Sequence, residues 1–226
     1  MECNQKISIA IDGPAGAGKS TIAKLISKKL KIVYLDTGAM YRTVALKAIR
    51  ENIDSLDGEK LAKLVNDIDI KVEYIGDEQR IYLGSEDVSD LIRTPEVSIG
   101  ASNVAVVPEV RIKMVDLQRE IAKNCSVVMD GRDIGTYVLP NASLKIFLTA
   151  SIEERAKRRY NEQLLKGIND VSFEAVKNDI VYRDKNDSSR AFAPLAKAED
   201  AIELDTTIMS IEDVVEKILE QIEDIC

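Results

Sequence analysis

Gly13-Pro14-Ala15-Gly16-Ala17-Gly18-Lys19-Ser20 follows a β-branched run, Ile7-Ser8-Ile9-Ala10-Ile11, and precedes a segment where Ile22, Leu25, Ile26 and Leu30 recur at helical spacing. The run reads as a buried parallel strand, and the spaced residues as the inner face of a helix. A G-x-x-x-x-G-K-S pattern set between strand and helix is a phosphate-binding loop rather than a chance glycine-rich turn. Its glycines let consecutive backbone N–H groups curl around an anion without interference from Cβ atoms. The helix N-terminus adds partial positive charge at the same spot. Lys19 can reach β- and γ-phosphates, and the Ser20 hydroxyl suits Mg²⁺. The expected ligand is a nucleoside triphosphate.

The composition narrows the chemistry further. A chain of 226 residues suits one α/β domain with a small insertion. No charged-then-apolar leader and no bilayer-length apolar run is evident, and Cys3, Cys125 and Cys226 are too scattered for a disulfide framework or a zinc site. A reducing cytoplasm is the expected location. A net charge of −8 argues against a nucleic-acid-binding surface. The chain contains no histidine, which removes histidine acid–base chemistry and catalytic triads. Phosphoryl transfer survives that exclusion, because it depends on positioning and electrostatics.

Along the chain, residues 32–35 form the next expected strand. Thr37 and Arg42 lie just past its carboxyl end, where open α/β sheets bind ligands, and Val44, Ala45, Ala48 and Ile49 line the helix that follows. From Gly58 to Arg93 the pattern changes. A short helix with Leu61, Leu64, Val65 and Ile68 leads into alternating Ile70, Val72 and Tyr74, a turn at Gly76-Asp77-Glu78 and a partner strand at Arg80-Ile81-Tyr82-Leu83. This reads as an antiparallel insertion covering the substrate. Two helices separated by Pro108 are expected next, the second with a stripe of Val110, Met114, Leu117 and Ile121, and with Arg111 off the stripe toward a cleft. Residues 126–130 and 144–148 are further buried strands, and Asp130 resembles an acid that supports Mg²⁺. Ser151 and Glu154 open a helix as a capping box, on which Arg155, Arg158 and Arg159 share a face suited to a phosphate clamp. A helix from about Ser172 ends in the polar run Arg183-Asp184-Lys185-Asn186-Asp187-Ser188-Ser189-Arg190, the composition of a mobile flap. A last strand at Ala201-Ile202-Glu203-Leu204 and a helix capped by Ser210, with Ile211, Val214, Val215, Ile218, Leu219 and Ile222 in register, complete the chain.

Four segments together resemble bacterial cytidylate kinase: Ile11 to Ser20, Asp36-Thr37-Gly38-Ala39-Met40-Tyr41-Arg42, Asp130-Gly131-Arg132-Asp133-Ile134-Gly135 and Arg190-Ala191-Phe192-Ala193-Pro194-Leu195. They occur in that family's order and spacing, and the resemblance covers essentially the whole chain. It implies an α/β fold with a five-stranded parallel sheet, helices on both faces, an antiparallel insertion at 58–95 and a lid near 155–192 on a core of 1–57 and 96–226. The implied reaction moves the γ-phosphoryl of ATP to CMP or dCMP with Mg²⁺, in a monomer without nucleic-acid or membrane partners. ATP would be held by residues 13–21, through Thr21, with Arg155 and Arg158. Lys19, Arg132, Arg158 and Arg190 would meet the transferring phosphoryl. Arg42, Arg132 and Arg190 would hold the acceptor phosphate, Asp187 and Arg183 the sugar, and Thr37, Ser102, Arg111 and Asp133 complete the CMP contacts, the last three at cytosine. Ser20, with Asp130, would serve Mg²⁺. Between Lys185 and Ser189 the chain has fewer arginines than some members.

Two other readings compete. A kinase of a hydroxyl acceptor such as shikimate or gluconate would need a positioned carboxylate base and fewer arginines. A regulatory GTPase would read guanine with N-K-x-D, whereas the nearest string here is Asp184-Lys185-Asn186-Asp187. The arginine inventory favours an acceptor that already carries phosphate.

Overall fold

A computed structural model describes residues 6–76 and 78–223. Asp77 of the expected turn, and Cys3 and Cys226, lie outside the described residues. Five strands form one parallel sheet: β1 (Ser8–Asp12), β2 (Val33–Asp36), β6 (Val127–Gly131), β7 (Leu144–Thr149) and β8 (Ile202–Asp205), in the order β2-β6-β1-β7-β8. Side chains alternate across the sheet, so two cores result. Ala10, Leu35, Val127 and Met129 face helices α2 (Thr37–Arg50) and α5 (Pro108–Asn124) through Met40, Val44, Val110 and Met114. Ile9, Ile11, Val128, Ile146 and Leu148 face α1 (Lys19–Leu30) and α8 (Ile211–Glu223) through Ile22, Ile26, Val214 and Ile218. The doubly covered parallel sheet expected from the sequence is present. Ile211, expected on the inner stripe of α8, is instead exposed.

The segment after Asn52 builds a separate unit. Helix α3 (Gly58–Asn66) precedes an antiparallel sheet of β3 (Ile70–Ile75) and β4 (Glu78–Leu83), both expected from the sequence, and the short β5 (Glu86–Asp87), which was not. Leu61, Ile70, Ile81, Val88 and Ile92 join the same core cluster as Leu35 and Met40, so this sheet is packed on the domain rather than detached. Helix α4 (Pro95–Val104), capped by Thr94, returns the chain to the domain.

Helices α6 (Ile152–Leu165) and α7 (Phe173–Ser189) form a hairpin. Ser151 Oγ accepts the Glu154 N–H, but Glu154 turns its carboxylate to Arg158, so only half of the expected capping box forms. The polar run from Arg183 is helical through Ser189, so its residues project from one helix.

Candidate active site

The phosphate loop, Arg42 and Arg132 follow the carboxyl ends of β1, β2 and β6, and α6 and α7 add Arg158 and Arg183. Gly13 (φ +145°) runs beneath β7, where a Cβ would lie 2.0 Å from the Leu148 carbonyl oxygen, so only glycine fits. Gly18 (φ 86°) is the N-cap of α1 and offers no side-chain cap, leaving first-turn N–H groups free for an anion. Lys19 is buried, and its Nζ donates to the Pro14 carbonyl at 2.7 Å. Burial, and next the charge of Arg132, press the Lys19 pKa well below its ordinary value. An arriving polyanion would relieve that pressure.

Ser20 Oγ donates to Asp130 Oδ2 at 2.8 Å, and the Tyr34 hydroxyl donates to Asp130 Oδ1 at 2.9 Å. Burial, then the nearby Asp36 charge, push the Asp130 pKa up. A hydroxyl and a carboxylate oxygen in contact are hard donors that fit Mg²⁺, which is commonly held by one or two carboxylates plus substrate phosphates. The sequence had paired these two residues for that role without showing that they meet.

The three arginines of α6 diverge instead of forming a clamp. Arg155 is buried and donates to the carbonyls of Ala150 and Ala15 and to Asp184 Oδ2 at 2.6 Å. Arg158 bonds Glu154 and Thr206, with Nη1 4.0 Å from where a Gly18 Cβ would stand, beside the mouth of the loop. Arg159 turns away to Glu162. Thr21 is exposed on the first turn of α1.

On the other side of the loop, Asp36 caps α2 through the Ala39 N–H and accepts Arg42 at 2.8 Å and Arg93 at 2.9 Å. Burial alone would raise its pKa, yet the two guanidinium groups hold it down at about 2. Thr37 Oγ1 donates to the Asp130 carbonyl. Arg132, just past β6, donates from Nε to Asp187 Oδ2 at 2.7 Å, and Ser102 Oγ donates to the other oxygen at 2.9 Å. Asp187 is thereby kept ionised, with its pKa lowered by Arg132, Arg190 and Arg183 against the opposing effect of burial. Arg183 makes no hydrogen bond or ion pair among the described residues, and its buried Nε has no partner. Burial, then the like charge of Arg132, lower its pKa to about 10. A guanidinium pressed against other cations without an anion to bond is built for one.

Arg111 is not at a cleft surface. It is 1% exposed, and an ion pair with Asp133, itself buried, supplies the countercharge that makes such burial tolerable. Arg190 lies on this side too, donating to the Ala193 carbonyl at 2.8 Å, with Asp133 Oδ1 3.9 Å away. Sequence reasoning missed Asp12, Tyr34, Arg93, Gln79 and Asp184. Asp12 ends an otherwise apolar buried strand, a signal that could have found it. Gln79 crosses from the small sheet to accept the Asp36 N–H at 2.7 Å, and nothing in its local sequence announces that contact.

Comparisons with known proteins agree with this geometry. The sequence model of the cytidylate kinase family matches residues 9–224. A cytidylate kinase of Caldicellulosiruptor bescii is 53% identical over 216 residues, covering 96% of this chain and 95% of that protein. One from Bacillus subtilis is 52% identical over 219 residues, covering 97% of each. Among solved structures, a shikimate kinase from Bacteroides thetaiotaomicron aligns over 96% of this chain and 98% of its own with a TM-score of 0.50 at 14% identity. An uncharacterised protein from Eubacterium ventriosum aligns over 97% of this chain and 99% of its own with a TM-score of 0.53 at 15% identity. At such identities the structural likeness speaks for the fold alone, whereas the sequence matches run through every segment that builds the site. The chain belongs to the cytidylate kinase family.

Proposed function

We infer that this chain transfers the γ-phosphoryl group of ATP to CMP or dCMP, giving CDP or dCDP and ADP. The observation that carries the reading is Arg183, unpartnered beside Arg132 and Arg42 and a short step from the phosphate loop. Two polyanions brought together repel, and this group of cations offsets that repulsion. The acceptor phosphate is already ionised at neutral pH, so the absence of histidine is no handicap.

In this reading the N–H groups of the 13–21 loop and Lys19 hold the donor phosphates, with Arg158 at the mouth. Mg²⁺, when bound at Ser20 and Asp130, supplies charge neutralisation at the β- and γ-phosphates. Lys19 leaves the Pro14 carbonyl to meet the transferring phosphoryl. Arg42, Arg132 and Arg183 face the acceptor phosphate, Arg190 approaches from the base side, and Asp187 takes the sugar. Ser102 and Asp133 read the cytosine edge, with the buried Arg111 fixing the Asp133 carboxylate. The unit at 58–95, tied to Asp36 by Gln79 and Arg93, serves as the acceptor-binding subdomain, and 155–192 as the lid.

A coupled ADP-release assay across CMP, dCMP, UMP, AMP, GMP and shikimate tests the assignment. ADP release should require CMP or dCMP. Turnover dependent on shikimate, or equal rates with all four ribonucleotides, would overturn it.

A further inference from the structure

Ala15 and Asp184 are far apart in sequence, yet Asp184 Oδ1 accepts the Ala15 N–H at 2.9 Å. Its Oδ2 accepts Arg155 Nη1 at 2.6 Å, and the same Nη1 donates to the Ala15 carbonyl at 2.8 Å. Both backbone polar groups of Ala15 are therefore held by this one acid–base pair. One turn further along α7, Asp187 holds Arg132 and Ser102. Helix α7 thus grips the donor loop with one carboxylate and the acceptor arginine with the next.

A second connection closes a ring. Asp12, at the foot of the phosphate loop, accepts the N–H groups of Ile134 and Gly135 at 2.8 and 2.7 Å, fixing the segment that follows Arg132. That link runs from a buried side-chain carboxylate to backbone N–H groups and involves no residue assigned to either ligand. The α7 link differs, because it runs through the Arg132–Asp187 ion pair, for which an acceptor phosphate and sugar must compete.

We propose that Asp184 is a positioning residue that couples the two substrates, passing the state of the Arg132–Asp187 pair to the phosphate loop through Ala15. It touches neither substrate in this role. The proposal rests on the phosphotransferase reading above, since it presumes an acceptor at Arg132 and a donor at the loop. Binding of CMP shifts the end of α7, and Asp184 carries that shift to the N–H groups that hold the triphosphate. Linkage then demands that each ligand tighten the other by the same factor.

Calorimetric titration of a non-hydrolysable ATP analogue, with and without saturating CMP, reads the coupling directly. In the wild type CMP should tighten the analogue about tenfold, inside the roughly 5- to 150-fold span usual for coupled sites. In Asp184→Ala that ratio should fall to about one, with affinity for CMP alone little changed. Asp184→Glu, which keeps the charge on Arg155, should recover part of the ratio. If Asp184→Ala melts, Asp184→Asn serves, because it keeps an acceptor for Ala15 and loses only the charge. A wild-type ratio of one overturns the proposal. So does a parallel loss of both affinities with the ratio retained, which marks a merely structural carboxylate. CMP-dependent ADP release by the wild type is measured on the same preparation. Its absence sinks the phosphotransferase reading and the coupling with it, whereas normal release with an unchanged ratio sinks the coupling alone.

Discussion

Lys19 and Asp133 show how one residue's surroundings decide its task. Lys19 rests on the Pro14 carbonyl under pressure from burial and from Arg132, so its charge is poised for a ligand rather than for the fold. Lys19→Ala should leave a folded protein, read by circular dichroism, with turnover lowered about 10²–10³-fold, the usual loss for one preorganised group at a developing charge. Near-normal turnover would take Lys19 out of the mechanism. Asp133 already has a partner in Arg111, so its carboxylate is aimed before any base arrives. Cytosine offers an N4 amino donor to a carboxylate, whereas uracil presents an O4 acceptor that the same oxygen repels. Asp133→Asn should therefore shrink the ratio of kcat/KM for CMP over UMP by roughly 10-fold or more, a polar contact of this kind being worth about 1–3 kcal/mol. A ratio that stays constant while both activities drop would mean that Asp133 serves only to neutralise Arg111.

Two glycines of one loop separate what an element needs for its own geometry from what it merely prefers. Gly13 and Gly18 both have positive φ, but a Cβ on Gly13 would strike the β7 backbone, whereas one on Gly18 meets only the flexible end of Arg158. Gly18→Ala should cost about 1–2 kcal/mol for the left-handed conformation alone. Gly13→Ala adds a collision with a carbonyl that cannot move without its strand, so its urea midpoint should fall much further. Equal midpoints would refute this account of the loop. Elements were legible wherever local pattern sufficed: the β-branched runs located the strands, and the spacing of Ile22 and Ile26 located α1. Pairings between distant segments were not. Asp184 meets Ala15 across 169 positions and Gln79 meets Asp36 across 43, and neither side chain carries a local signature of its partner. Among the site arginines, motif and spacing put Arg42 and Arg132 beside the loop. They could not tell that Arg155 would turn inward to Ala15 or that Arg111 would be fully buried, because both outcomes depend on which carboxylate tertiary packing brings near.

Across the whole molecule, the carboxylates that hold the site together also set how stability varies with pH, and two of them act in opposite directions. Asp36 has a folded pKa of about 2, below its ordinary 3.8, because Arg42 and Arg93 outweigh its burial. Its contribution is complete above pH 4 and is lost as pH falls toward 2. Asp12 is the reverse case. Burial raises it from 3.8 to about 6, despite the N–H groups of Gly135 and Ile134 that favour its charge. Between those two values the native state holds a proton that the unfolded chain has released, so stability must fall as pH rises through that window. The penalty is absent below pH 4 and complete above pH 6. At about 1.4 kcal/mol for each pH unit separating the two pKa values, the Asp12 term amounts to about 2–3 kcal/mol. Asp12→Asn cannot titrate, and its amide also sacrifices one of the two backbone contacts, a loss that does not vary with pH. Urea unfolding of both proteins at pH 4, 5, 6 and 7 isolates the effect. The wild type should lose its advantage over Asp12→Asn steadily from pH 4 to pH 6, then hold level. A difference that stays flat across the series would show that Asp12 ionises in the folded protein as freely as in the unfolded chain. The Asp12 link from the phosphate loop to Ile134 and Gly135 would then stay negatively charged from neutral pH down to its ordinary value of 3.8.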